Sequence, residues 1–224
     1  MKAAFVWDFD GVIAQTPHED AWREACKLYG IRGFTHEFYQ EFVSGRPRLE
    51  GGRNILKLLW LPGMKEGEME LEVRKFTDLK NEIYLEMVRK GSYAIREDVV
   101  RFIVESKRVG IIQILASASK NVLFIAEREH ISSGIKLRDL FDLDLSGSGG
   151  SKEEIFRNAL KAVESGNCCV VFFDDSPSGI QAAKSLGGLA VGCFNEKLRD
   201  YGADAVVTDF SRLSPVDLLR RVGC

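Results

Sequence analysis

Two short apolar runs in this chain each lead straight into clustered aspartates. Phe5-Val6-Trp7 meets Asp8-Phe9-Asp10-Gly11, and Val170-Val171-Phe172-Phe173 meets Asp174-Asp175-Ser176. Apolar runs of this length suit strands buried on both faces, the strands of parallel sheets. Further runs occupy residues 109–116, 140–145, 189–193 and 205–207, with amphipathic helical patterns at 153–163 and 177–185 between them. Strands alternating with helices predict an α/β fold, a Rossmann-like parallel sheet with helices on both faces. Open sheets of this kind bind ligands beyond the carboxyl ends of their strands, which is where both acidic pairs would lie.

Residues 15–93 have another texture, with helical periodicity and no strong strand run. Trp22, Ala25, Cys26 and Tyr29 share one helical stripe, as do Ile55, Leu56 and Leu59, whereas Phe76, Leu79, Ile83 and Val88 fit one less well. Breaks are expected at 30–33, 44–47 and 61–63. The predicted organisation is a core of residues 1–14 and 94–224 with an all-helical module, 15–93, inserted after the first strand. A chain of 224 residues with 45% hydrophobic side chains can bury such a core. The balance of 31 basic against 33 acidic side chains argues against nucleic-acid or anionic-membrane partners. No apolar run approaches the roughly 18 residues needed to cross a bilayer. The five cysteines (Cys26, Cys168, Cys169, Cys193, Cys224) are odd in number and lack C-x-x-C spacing, so they read as reduced thiols of a cytoplasmic protein.

Asp8 and Asp10, two residues apart on an extended backbone, point the same way and repel each other. A divalent cation relieves that repulsion, and oxygen ligands of this type suit Mg²⁺. Gly11 permits the sharp turn that follows. Helix capping could account for one aspartate at such a position, and for Asp175 or Ser176, but not for adjacent acids closing an apolar strand. Residues 111–116 run into Ser117-Ala118-Ser119-Lys120-Asn121, whose hydroxyls and amides could hold an anion or simply cap a helix. The glycine-rich stretch 147–150 fits neither a dinucleotide fingerprint nor a P-loop. It delivers Lys152 to a helix start, where its charge opposes the helix dipole unless the side chain serves elsewhere. Phe141-Asp142-Leu143-Asp144-Leu145 imitates the D-x-D spacing, yet its apolar residues continue, which predicts a strand with one polar face.

Taken together, D-x-D-G, Ser117, Lys152 and Asp174-Asp175 resemble the haloacid dehalogenase superfamily of phosphoryl-transfer enzymes, the helical insertion being similar to its small cap. The resemblance implies Asp8 as nucleophile and Asp10 as general acid/base. It implies Mg²⁺ held by Asp8, the Asp10 backbone carbonyl and the Asp174/Asp175 pair, with Asp175 favoured as the direct ligand. Ser117 would then donate to a phosphoryl oxygen, and Lys152 would neutralise charge. Residues 115–121 and Asp174-Asp175-Ser176 look most like β-phosphoglucomutase and its sugar-phosphatase relatives. That likeness adds Gly11, Thr16, His18, Arg48, Lys80, Asn81, Ala118, Ser119 and Asn121 as substrate-binding positions. Gln15, the short approach from Thr16 to His18 and the altered Lys152 loop depart from the mutase pattern. The resulting expectation is a monomeric (or dimeric) Mg²⁺-dependent phosphohydrolase acting on a small phosphorylated metabolite, a sugar phosphate, through an aspartyl phosphate. A β-phosphoglucomutase-type phosphomutase is the alternative, and a receiver-like phosphate-binding module is the alternative from another class.

Overall fold

The computed structural model describes residues 2–60, 63, 65–131, 134–163 and 168–224; Leu61 and Pro62 of the expected break at 61–63 lie outside them. The strands, in chain order, are β1 (Lys2–Trp7), β2 (Ala14–Gln15), β3 (Ala94–Ile95), β4 (Ile112–Leu115), β5 (Leu143–Asp144), β6 (Cys168–Asp174), β7 (Leu189–Cys193) and β8 (Ala205–Val207). Six of them form a parallel sheet in the order β5-β4-β1-β6-β7-β8, while β2 and β3 pair as a separate ribbon. The acid-bearing strands β1 and β6 are therefore neighbours. Their register pairs Trp7 with Phe173, so one step further on Asp8 lies beside Asp174.

The helices are α1 (His18–Leu28), α2 (His36–Phe42), α3 (Arg48–Ile55), α4 (Glu66–Arg89), α5 (Glu97–Arg108), α6 (Val122–Arg128), α7 (Lys152–Ala162), α8 (Pro177–Ser185) and α9 (Pro215–Val222). The chain divides into two compact units, Met1–Gln15 with Ile95–Cys224, and Thr16–Ala94. In the first, one face of the sheet is aromatic: Trp7 stacks on Phe173 at 3.9 Å, and Phe5, Phe102 and Phe210 complete the group. The other face buries Ile155, Phe156, Phe172 and Ile180 under α7 and α8. Parallel strands are covered on both sides, which explains why they read as continuous apolar runs rather than alternating ones.

Two strand expectations shrink. The run 140–145 becomes a 3-10 turn, Leu137–Leu140, and the two residues of β5, because the Asp142 carboxylate accepts bonds from Gln113 N and Lys107 Nζ instead of lying on a strand face. The run 109–116 loses its first residues to the turn at Gly110, whose φ of 81° suits glycine. The cysteine expectation is also corrected. Cys169, early in β6, is joined to Cys224, just beyond α9, with Cα atoms 6.0 Å apart and a sequence separation of 55. Local spacing carries no trace of such a pair; only the topology creates it. Cys26, Cys168 and Cys193 remain free thiols, and burial pushes Cys26 up to about 12.

The second unit packs Trp22, Ala25, Cys26, Ile55, Leu56, Val73 and Phe76 into its own core. The buried stripe of α4 includes Met69, Val73, Phe76, Thr77, Lys80, Tyr84 and Val88. Its spacing is regular, but a threonine and a lysine occupy it, which is why the apolar pattern looks imperfect in the sequence. α3 closes on α4 at Gly52, where a Cβ would overlap the buried Thr77 Cγ2 and lie 3.4 Å from Trp22. Gly52→Ala gains up to about 1 kcal/mol in helix propensity but overpacks a β-branched neighbour at about 1–3 kcal/mol, so net destabilisation is expected. Gly67, exposed on α4 with open space at its Cβ position, should instead be stabilised by alanine. Thermal melts of the two variants check this: a lower Tm for Gly52→Ala and a higher one for Gly67→Ala.

Candidate active site

Strand ends and the turns after them assemble the site in the first unit. Asp8 follows β1, and its amide donates to Phe173 O at 3.0 Å, extending the ladder by one residue. Asp174 closes β6 and is fully buried. Asp8, Asp174 and Asp175 each offer a carboxylate oxygen within 4.8 Å of the others. Lys152, the first residue of α7 and itself 5% exposed, lies among them. Its Nζ is 2.6 Å from Asp8 Oδ1 and 3.1 Å from Asp174 Oδ2. Ser151 caps that helix, its hydroxyl accepting from Glu154 N, so the unfavourably placed ammonium is explained by its ion pairs.

The local sequence lets backbone come close to these acids. Gly11 has φ 85°, and a Cβ there would overlap the Asp175 carboxylate. A Cβ on Gly179 would overlap that of Asp174. Ser176 is the N-cap of α8: its hydroxyl accepts from Gly179 N at 3.1 Å and donates to Asp174 Oδ1 at 2.7 Å. Capping and acid placement are thus one arrangement, with Pro177 in the first helical turn. Sequence reasoning assigned Gly179 no role, although a glycine so near the start of a helix was a visible signal of close approach.

Charge and burial set the protonation. Burial foremost, then Asp174 and Asp10, push Asp8 from its ordinary 3.8 to about 7 against the pull of Lys152. Asp175 is raised well above its usual range, again by burial and then by Asp174 and Asp8. For Lys152, burial alone would lower the value, but Asp174 and Asp8 outweigh it and hold the ammonium above its ordinary range. Asp8 Oδ1 and Asp174 Oδ2 are both buried, and the Lys152 ammonium is the counter-charge beside each. Three carboxylates grouped on one ammonium keep an excess of negative charge, which fits an oxygen-liganded divalent cation.

Asp10 lies beside this cluster rather than in it, its Oδ2 accepting from Ser117 Oγ at 3.3 Å. Ser117 follows β4 and is 1% exposed, and its Oγ also accepts from Ser119 N. Ser119 Oγ accepts from Asn121 N, while Asn121, the N-cap residue of α6, makes no side-chain cap bond. The hydroxyls therefore shape the turn Ser117-Ala118-Ser119. Gly147 N donates to Ser117 O, tying the lysine loop to that turn.

The other expected positions lie in the second unit. Thr16 precedes α1, and His18 opens it. His18 Nδ1 is 2.6 Å from Lys80 Nζ, and its ring stacks on Tyr84 at 4.2 Å. The Lys80 ammonium, nearly fully buried, also sits over the Trp22 and Tyr84 rings. Arg48 starts α3 and pairs with Asp78 at 3.5 Å; Asn81 follows Lys80 on α4.

An acid that binds its proton more tightly when folded contributes stability below its unfolded value and loses it as pH rises through the folded one. In EDTA, the Asp8 contribution should thus fade between about pH 4 and pH 7. Asp8→Asn, neutral throughout, should gain in Tm relative to wild type across that interval. Added Mg²⁺, competing with the proton, should stabilise wild type more at pH 8 than at pH 5. A Tm difference that does not change with pH would refute the assignment.

Comparison with known proteins agrees with this geometry. The profile of the haloacid dehalogenase-like hydrolases matches residues 2–187. The archaeal β-phosphoglucomutase of Pyrococcus sp. strain ST 04 superposes with a TM-score of 0.81 and 37% identity, covering 99% of each chain. Protein CbbY of Cereibacter sphaeroides is 24% identical over 95% of this chain and 94% of its own length. The phosphorylated carbohydrates phosphatase of Thermotoga maritima is 25% identical over 82% of this chain and 81% of its own. With the match spanning most of its length, this chain belongs to the haloacid dehalogenase-like hydrolases, in their β-phosphoglucomutase-like branch.

Proposed function

We propose that this enzyme is a Mg²⁺-dependent phosphohydrolase that takes the phosphoryl group of a sugar phosphate onto Asp8. The observation that carries the proposal is the cluster of buried Asp8 and Asp174, both paired with buried Lys152, and half-buried Asp175 at the carboxyl ends of adjacent parallel strands. Such a group has no structural purpose that apolar residues would not serve better, and it suits a reaction in which anions meet. Asp8, Asp174, Asp175 and the Asp10 backbone carbonyl would hold Mg²⁺, with Asp175 as a direct ligand. When bound, the ion supplies positive charge that lets a carboxylate approach an anionic phosphoryl group.

The remaining chemistry belongs to side chains. Asp8 attacks phosphorus as the bond to the sugar oxygen breaks, and Asp10 donates a proton to that oxygen. Asp10 then takes a proton from water, whose oxygen attacks the same phosphorus; phosphate leaves and Asp8 is regenerated. Lys152 balances charge on the Asp8 side throughout. Ser117, whose Oγ donates to Asp10 Oδ2 in the structure, would donate to a phosphoryl oxygen once substrate displaces that contact. The sugar-phosphate class is supported by the relatives named for phosphorylated carbohydrates and phosphoglucose. Thr16, His18, Arg48, Lys80 and Asn81, with Gly11, Ala118, Ser119 and Asn121, are proposed to bind the sugar phosphate.

A second reading, phosphomutase, is favoured by the 37% identity to the archaeal β-phosphoglucomutase. There a sugar hydroxyl, not water, would accept the phosphoryl group. Gln15, the short approach to His18 and the altered lysine loop favour water. Supplying β-glucose 1-phosphate with a trace of the 1,6-bisphosphate separates the two: free phosphate should outpace glucose 6-phosphate, and the reverse would establish the mutase. In either case Asp8→Asn should abolish turnover, since an amide cannot form the acyl phosphate. Activity above about one percent of wild type in a preparation free of host phosphatase would remove Asp8 from that role.

A further inference from the structure

The run Ile111-Ile112-Gln113-Ile114-Leu115 carries a glutamine in the middle of a buried strand, and the proposed chemistry leaves it without a purpose. Gln113 is fully buried. Its Oε1 accepts from Trp7 Nε1 at 2.8 Å, and its Nε2 donates to Ile111 O at 2.8 Å. Its backbone amide donates to Asp142 Oδ2, whose other oxygen accepts from Lys107 Nζ at 2.7 Å. A buried amide is costly unless it is hydrogen-bonded, and here both ends of the side chain are bonded. An aliphatic residue would fill the same strand position without that requirement.

What this arrangement holds is Trp7, the residue immediately before Asp8. The indole lies flat on Phe173, the residue immediately before Asp174, at 3.9 Å and 15°. Its backbone oxygen accepts from Ala116 N at 2.8 Å, one residue before Ser117. Through its ring, its indole N–H and its backbone oxygen, Trp7 thus touches the strands that deliver Asp174 and Ser117 while sitting next to Asp8. We propose that Trp7, oriented by Gln113, is a positioning residue that sets the spacing of the Asp8 and Asp174 carboxylates for phosphoryl transfer and cation binding. The inference rests on the phosphoryl-transfer reading for its kinetic consequence, but not for its effect on the carboxylates.

Trp7→Phe keeps an aromatic ring on Phe173 and removes the N–H, leaving Gln113 Oε1 without its donor. Small displacements of reacting groups are expensive in rate, so kcat should fall at least about tenfold while KM stays within about twofold. The Mg²⁺ midpoint, measured by calorimetry without substrate, should rise at least about threefold. Gln113→Met removes the acceptor but leaves the indole and its stack, and should shift kcat and the Mg²⁺ midpoint in the same directions, which covers the case in which Trp7→Phe does not fold. The double variant removes both polar partners, so its Tm should recover towards wild type. Its kcat and Mg²⁺ midpoint should not recover. Variants that lose only Tm, with kcat and Mg²⁺ midpoint within about twofold of wild type, would overturn the proposal. So would recovery of both quantities in the double variant, because packing alone would then place the acids. If wild type turned over no phosphorylated metabolite, the phosphoryl-transfer reading would fail while the Mg²⁺ midpoints still decided the role of Trp7.

Discussion

The Lys152 ammonium between Asp8 and Asp174 is the interaction around which the rest of the site is arranged. Removing one partner from a buried ion pair costs about 3–5 kcal/mol, because the remaining charge has neither water nor counter-ion. Here one cation faces three carboxylates. Their mutual repulsion, added to burial, is what raises Asp8 and Asp175. The site therefore holds more negative charge than its own lysine offsets, and a divalent cation or a proton settles the difference. Many of the ion pairs elsewhere, such as Arg23–Glu19 or Lys90–Glu86, are exposed helix pairs that water screens.

Placing these charges together is the work of the sheet. β1 is flanked by β4 and β6, so Asp8, Ser117 and Asp174 emerge side by side from three neighbouring strands. Two helices complete the group through their first turns: α7 brings Lys152, and α8 brings the Ser176 cap that fixes one oxygen of Asp174. Gly11 and Gly179 leave room for carboxylates where side chains would otherwise stand. Rigid aromatic packing on one face, from Phe5 to Phe210, backs the strand ends and resists their displacement.

Much of this was legible in the sequence because both signals are local. Apolar runs ending in aspartate identify strand and charged terminus together, and the register then follows from the parallel sheet. Lys152 was legible as a cation in an electrostatically poor position, and its partners explain that position. Other features needed topology. The Cys169–Cys224 link joins segments 55 residues apart, beyond any spacing rule. Lys80 disguised the stripe of α4, since a lysine reads as surface until the Trp22 and Tyr84 rings are seen around it. Gln113 drew no notice within its strand run, because its partner Trp7 is 106 residues away.

An aspartyl phosphate at Asp8, the proposed carrier of the phosphoryl group, can be trapped. The enzyme would be mixed with Mg²⁺ and a turned-over sugar phosphate labelled at phosphorus, quenched in acid within milliseconds, and its peptides mapped. Label should appear on the peptide containing Asp8, stable in acid and released by hydroxylamine as an acyl phosphate. Label on another residue, or turnover with no label on the protein at any quench time, would contradict that role for Asp8.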